Sequence, residues 1–272
     1  MVDKSEKFTW FVRVGYFSRA ILYSVLGLIA LTSAGQISKG TDGIFQAVEN
    51  FPAGTAVLWT MIVGLFFYAL FRFASPVFDI ENEGSDLKGW GKRIGHAGSG
   101  VGHLALAYSA YELASSSGGA SGSGSSGGGA QSAAAGVLSV DFGGAVLGIL
   151  GLIFFVVAAF QAKKGLSREF MNRVSASAPS STKLLGGVGY AARGVVYAVI
   201  GWSLFQAGFM SGGADQIKTL GDALASLAGQ GAIFTVTAIG LLVFGLFSLI
   251  LARYRIIPEI DSDQGVPEFR TT

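Results

Sequence analysis

Apolar residues gather into six long stretches along the 272-residue chain, at roughly 16–34, 56–76, 94–114, 142–162, 184–209 and 232–252. Polar and charged residues collect in the intervals between them. A helix needs about 20 mostly apolar residues to cross the hydrocarbon core of a bilayer, so each stretch predicts one membrane-spanning helix. No soluble-domain stretch remains in the intervals. The pattern therefore predicts an all-α membrane fold. The first stretch also carries the marks of a secretory signal: basic residues, an apolar run from Ala20 to Leu31, then Thr32-Ser33-Ala34. The same pattern recurs inside the chain at 187–201, where no signal peptide can stand, so the first stretch reads as a span.

That recurrence organises the chain. Residues 13–27 (RVGYFSRAILYSVLG) and 187–201 (GVGYAARGVVYAVIG) agree at seven of fifteen positions, among them Gly15/Gly189, Tyr16/Tyr190, Arg19/Arg193, Tyr23/Tyr197 and Gly27/Gly201. A divergent middle copy follows at an offset of 80, where Trp10 falls on Trp90, Arg13 on Arg93 and Gly15 on Gly95. There Tyr16 falls on His96, Arg19 on Ser99 and Tyr23 on His103. The returning helices align as well, on Gly64-Leu-Phe-Phe-Tyr, Gly151-Leu-Ile-Phe-Phe and Gly240-Leu-Leu-Val-Phe. Each repeat is a two-span hairpin: 1–78, 79–165 and 166–256, with a cytoplasmic tail at 257–272. A two-span unit returns to its starting side, so successive units have parallel topology, related by an axis along the membrane normal. The expected architecture is six transmembrane helices in a pseudo-threefold arrangement.

Charge sets the orientation. Seventeen of the 19 basic residues fall on the N-terminal segment through Arg19, the connections around 72–93 and 163–193, and the C-terminal end. Only Lys39 and Lys218 lie on the other side. The positive-inside rule places both termini in the cytoplasm. Composition agrees: 51% hydrophobic and 13% charged residues, against about 25% charged in soluble domains. The absence of cysteine excludes disulfides and thiolate chemistry, and two histidines make a histidine-rich metal site a poor reading.

The external loops differ from one another. Gly43-Ile-Phe-Gln-Ala-Val in the first and Gly221-Asp-Ala-Leu-Ala-Ser-Leu in the third each predict a short amphipathic helix before the returning span. The second, residues 115–136, is a Gly/Ser tract that predicts flexible coil and reads as an insertion at a loop tip.

The Gly-Tyr-x-x-Arg-x-x-x-Tyr opening, in a six-span triplet of hairpins, resembles a bacterial membrane family known as domain of unknown function 1206. The resemblance runs from about residue 8 to 255. Gly15-Tyr16, Arg19, Tyr23 and Gly27 carry it in the first copy, and Gly189-Tyr190, Arg193-Gly194, Tyr197 and Gly201 in the third. The middle copy departs from it at His96, Ser99 and His103. The resemblance implies a multi-pass bacterial plasma-membrane protein and no activity.

One polar stripe is a candidate site. Tyr16, Arg19, Tyr23 and Gly27 are spaced by 3, 4 and 4 residues, which places them on one helix face. Its equivalents are His96, Ser99, His103 and Tyr190, Arg193, Tyr197. Three such stripes around an axis form two stacked polar layers in the cytoplasmic half, and the less favoured reading makes them a ligand-binding face. The alternative is structural: tyrosines in an interfacial belt, arginines snorkelling to phosphates, glycines allowing close helix approach. His103 lies near mid-span, and the expected hydrogen-bond partner is Tyr23 or Tyr197 on a neighbouring helix; His96, nearer the surface, should be more exposed. The two histidines share one helix face, so they cannot flank one haem iron. Glu112, Asp141 and Arg72 read as solvated at span ends. Gly98–Gly102 and Gly144–Gly148 have the GxxxG spacing of close-packed helices. No catalytic constellation, cofactor or metal site is read, and the basic loops are explained by topology rather than by nucleic acid. The expected function is a non-enzymatic membrane component that packs with lipid, with a partner membrane protein or as a homo-oligomer. The alternative is a channel or transporter for a small solute or ion, with its pathway near the axis.

Overall fold

A computed structural model describes residues 4–32, 49, 54–79, 83–116, 126–210 and 212–257. Among them, eight α-helices follow in order: α1 (Lys4–Thr32), α2 (Gly54–Phe78), α3 (Leu87–Ser116), α4 (Ser126–Leu138), α5 (Gly143–Ser167), α6 (Thr182–Phe209), α7 (Leu220–Ala225) and α8 (Ala232–Tyr254). Extended pairing among the described residues is limited to one bridge, Val174 with Arg255. The helix expected in the first external loop and the cytoplasmic tail from 258 onward lie outside the described residues.

Five helices are long and apolar enough to cross a membrane: Val12–Thr32 of α1, then α2, α5, α6 and α8. The stretch expected to form a further span at 94–114 is helical, within the 30-residue α3, but falls short in apolar content. The reason is composition. Gly91, Gly95, His96, Gly98, Ser99, Gly100, Gly102 and His103 occupy its first half.

Packing links the six long helices in the order α3–α2–α1–α8–α6–α5. The seam between α5 and α6 is the most extensive, and it is lined with glycine. On α6, Gly187, Gly194, Gly201 and Gly208 recur every seven residues and so share a face. A Cβ on Gly151 of α5 would lie 2.6 Å from the backbone nitrogen of Phe205 and 2.7 Å from the carbonyl oxygen of Gly201. Only glycine admits that approach, which replaces the missing hydrophobic drive between helices with backbone contact. Gly27 of α1 meets α8 in the same way: a Cβ there would lie 2.5 Å from the nitrogen of Leu242. Of the two GxxxG pairs, Gly144 and Gly148 pack against Gly208 and Phe209, whereas Gly98 and Gly102 have nothing within 4 Å. The spacing alone does not make a contact; a partner helix must be there.

Phe71, Phe244, Phe247, Leu26, Met61 and Leu65 are fully buried at the centre. The outside carries Phe17, Leu28, Val63, Phe66, Leu104, Val146, Ile149, Ile153 and Val156, all exposed. An apolar exterior of this extent marks a lipid-facing surface rather than a water-facing one.

One end of the bundle is stitched by polar contacts. Arg13 donates to the carbonyl of Arg253 at 2.7 Å, and Arg93 to that of Pro76 at 2.8 Å. The segment after α5 joins the end of α8, with Ser175 N donating to Tyr254 O and Ile256 N to Arg173 O. The starts of α1 and α3 therefore lie with the ends of α2 and α8.

The loops divide. Leu220–Ala225 is helical, started by a capping box between Thr219 and Asp222. The Gly/Ser tract departs from the coil that its glycines and serines predict: its second half, from Ser126, lies in α4. Ala130 and Ala133–Ala135 have high helix propensity, and buried Ala134 together with Val137 and Leu138 docks on the core.

Candidate functional site

The stripe on α1 turns inward. Tyr16, Arg19 and Tyr23 are all buried. Arg19 lies seven residues from the first residue of its span, about 10 Å at 1.5 Å per residue. Its Nη1 donates to the Tyr68 hydroxyl of α2 at 2.9 Å, and its Nε to Ser248 Oγ of α8 at 3.0 Å. Its guanidinium carbon stands 4.5 Å from the Tyr16 ring centre and 4.9 Å from that of Phe244.

Arg193 of α6 repeats the arrangement from the other side. Its Nη2 donates to the Tyr197 hydroxyl. Its guanidinium carbon lies 4.7 Å from the Phe244 ring centre, 5.0 Å from Tyr197 and 5.4 Å from Tyr23. Tyr23 meets Phe244 edge-on at 4.9 Å, and Tyr190 meets it at 5.5 Å. The stripes of the first and third copies thus converge on one phenyl ring.

The middle copy contributes differently. His103 is buried, with its ring 4.6 Å from that of Tyr68. Its Nδ1 lies 2.7 Å from the carbonyl of Ser99, one turn earlier on its own helix. In the neutral imidazole that contact assigns the hydrogen to Nδ1. The expected bond to Tyr23 or Tyr197 is not made; the i−4 carbonyl is nearer and needs no neighbouring helix. Ser99 contributes that carbonyl and is itself half-buried. His96 is more exposed than His103 and lies 4.0 Å from Glu83.

Among the described residues, five buried nitrogens have no hydrogen-bond partner: Arg19 Nη2, Arg193 Nε, Arg72 Nε, His103 Nε2 and His96 Nδ1. Arg72, expected to be solvated at its span end, is half-buried with its Nε enclosed. Each orphaned polar group costs roughly 1–3 kcal/mol, and a buried ion without a counter-charge costs several kcal/mol more. Cation–π contacts return about 0.5–2 kcal/mol each. They lower the cost but leave the net positive charge in place. Snorkelling, the structural alternative for these arginines, does not describe them: both guanidiniums point into the bundle.

Tyr68, Ser248 and Phe244 complete the cluster together with Arg72, and the sequence reading assigned none of them to the stripe. A signal for them was there. Tyr68 and Phe244 are the fifth residues of the aligned Gly64 and Gly240 segments, and Arg72 and Ser248 each follow four residues later, on the same face.

A second polar group lies at the stitched end. Glu83 pairs with Lys92, and with Arg173 at 3.6 Å. Burial raises the pKa of its carboxyl, but neighbouring His96 and Lys92 more than offset this and hold it at about 2. Among the described residues, His, Asp and Glu do not gather in threes as a metal site requires.

A family profile described as Domain of Unknown Function (DUF1206) matches residues 14–79, 94–168 and 188–255. The chain is similar to "Uncharacterized protein YxxB" of Bacillus subtilis (strain 168), with 29% identity over 265 residues, covering 93% of this chain and 94% of the relative. No solved structure matches the chain.

Proposed function

Because the chain belongs to the DUF1206 family, whose profile matches it in three successive segments, we propose that it works as a three-hairpin, six-span component of the bacterial plasma membrane. In this reading α3 is the sixth span. Both termini are cytoplasmic, and the protein is non-enzymatic, packing with lipid, a partner membrane protein or a second copy of itself.

The packing order carries the reading. A ring of three two-helix repeats has six neighbour steps, and α3–α2–α1–α8–α6–α5 supplies five of them. The step left without extensive packing is α3 to α5, the two spans of the divergent middle repeat, which the Gly/Ser tract connects. The polar first half of α3 is tolerable in a bilayer because His103 turns inward and Arg93 bonds α2. The stitched end gathers Arg13, Lys92, Arg93, Arg173 and Arg253, which supports its assignment to the cytoplasm.

Reporter fusions after residues 40, 125 and 215 test the topology, and each is expected to report the outside. A cytoplasmic signal at 125 overturns the hairpin triplet. Purification of the native complex tests the role: a stable co-purifying partner or lipid supports it. The second reading, a solute pathway near the axis, is favoured by the orphaned donors at the bundle centre. Flux through liposomes containing only this protein would establish it in place of the first.

A further inference from the structure

The buried arginines have no carboxylate partner among the described residues. Arg19 is 5% exposed and Arg193 8%. Guanidinium stays protonated in proteins. Among the described residues, neither makes an ion pair; the acids that do, Glu83 and Glu169, lie at helix ends. Every protein partner the two guanidiniums have is a hydroxyl or an aromatic face. One N–H on each remains free, and so does Arg72 Nε nearby.

We propose that Arg19 and Arg193 together hold a phosphate-type oxyanion inside the bundle. The two guanidiniums stand over one ring, that of Phe244, at 4.9 and 4.7 Å from two helices, which brings their unpartnered nitrogens into one neighbourhood. Their net positive charge excludes a cation. A phosphate group suits them better than a single neutral acceptor, because it supplies both the counter-charge and several oxygens for planar donors. The free Arg72 Nε adds a further donor on the α2 side. The phosphate comes either from a lipid headgroup or from the free ion. The inference rests on reading the chain as a membrane-bound binding component, but not on whether a partner protein or an open pathway completes it.

The test uses the full-length protein purified in an uncharged detergent. Phosphorus per chain is measured before and after chloroform–methanol extraction; phosphorus in the organic phase assigns the lipid source, and phosphorus in the aqueous phase the free ion. In parallel, thermal stability is read with inorganic phosphate against chloride at equal ionic strength, and with phosphatidylglycerol against phosphatidylcholine in mixed micelles. The expected result is retained phosphorus or a selective rise in Tm with one of the two phosphate probes. Arg19→Gln and Arg193→Gln should each weaken that response about tenfold or more. Arg19→Lys and Arg193→Lys, which keep the charge, should weaken it less and serve where a Gln variant does not fold. A wild-type protein with no phosphorus and no selective shift overturns the proposal, as does an unchanged response in the variants. Either failure leaves the reporter-fusion topology untouched, and a failed topology leaves a phosphate signal standing.

Discussion

Arg19 and Arg193, equivalent residues of the first and third repeats, stand over the same ring, that of Phe244, at 4.9 and 4.7 Å. At the third equivalent position the chain has Ser99. A third arginine there would add a charge to a centre that already lacks a counter-ion. The divergence of the middle repeat is thus consistent with the electrostatics of the core.

Replacing Phe244 with Leu keeps an apolar side chain of similar reach but removes the shared aromatic face. The variant is expected to lose roughly 1–3 kcal/mol, from two cation–π contacts and imperfect repacking. Thermal unfolding in detergent measures this. A Tm within error of wild type would mean that the ring does not help hold the guanidiniums.

Tyr68 and Tyr16 both face Arg19, but only the Tyr68 hydroxyl accepts its hydrogen bond. Tyr68→Phe leaves Nη1 without that acceptor and should cost about 1–3 kcal/mol. Tyr16→Phe keeps its ring over the cation and should cost less than half as much. Equal losses in paired unfolding curves would contradict the assignment.

A glycine packed against a helix and one facing open space should respond in opposite ways. Gly151→Val forces a side chain into the backbone of α6 and should separate the α5–α6 seam, lowering Tm sharply or abolishing folding. Gly98→Ala meets open space and should be neutral or slightly stabilising, since alanine is the better helix former. A side-by-side expression and melting assay of the two variants decides it.

Glu83 should make the stitched end sensitive to acid. Its folded pKa of about 2 lies below the ordinary 4.5. The stability it contributes is therefore present above pH ~4.5 and lost as pH falls through about 2. Wild type should melt higher than Glu83→Gln at neutral pH, and the gap should close between pH 5 and 2. A gap that stays constant with pH would show that the carboxylate charge is not what ties Lys92 and Arg173 together.

Much of the site was legible from periodicity. Spacings of 3 and 4 residues place Tyr16, Arg19 and Tyr23 on one face of a helix, whatever surrounds it. The alignment of the two outer copies makes Arg19 and Arg193 equivalent. The direction of their side chains was not legible. An arginine about 10 Å inside a span can snorkel outward or turn inward, and the choice depends on acceptors elsewhere. For Arg19 these are Tyr68 and Ser248, 49 and 229 residues away.

By itself, then, the sequence determined the membrane class, the helical repeats and which residues share a face, because these follow from local composition and the 3.6-residue turn. Tertiary structure alone decided the rest. It placed Gly144 and Gly148 in a seam and left Gly98 and Gly102 open. It gave His103 a carbonyl of its own helix instead of a neighbour's hydroxyl. It also gathered buried cations around Phe244 with no carboxylate among the described residues to pair them. Each outcome depends on which helix packs against which, and that is set by contacts between residues far apart in the chain.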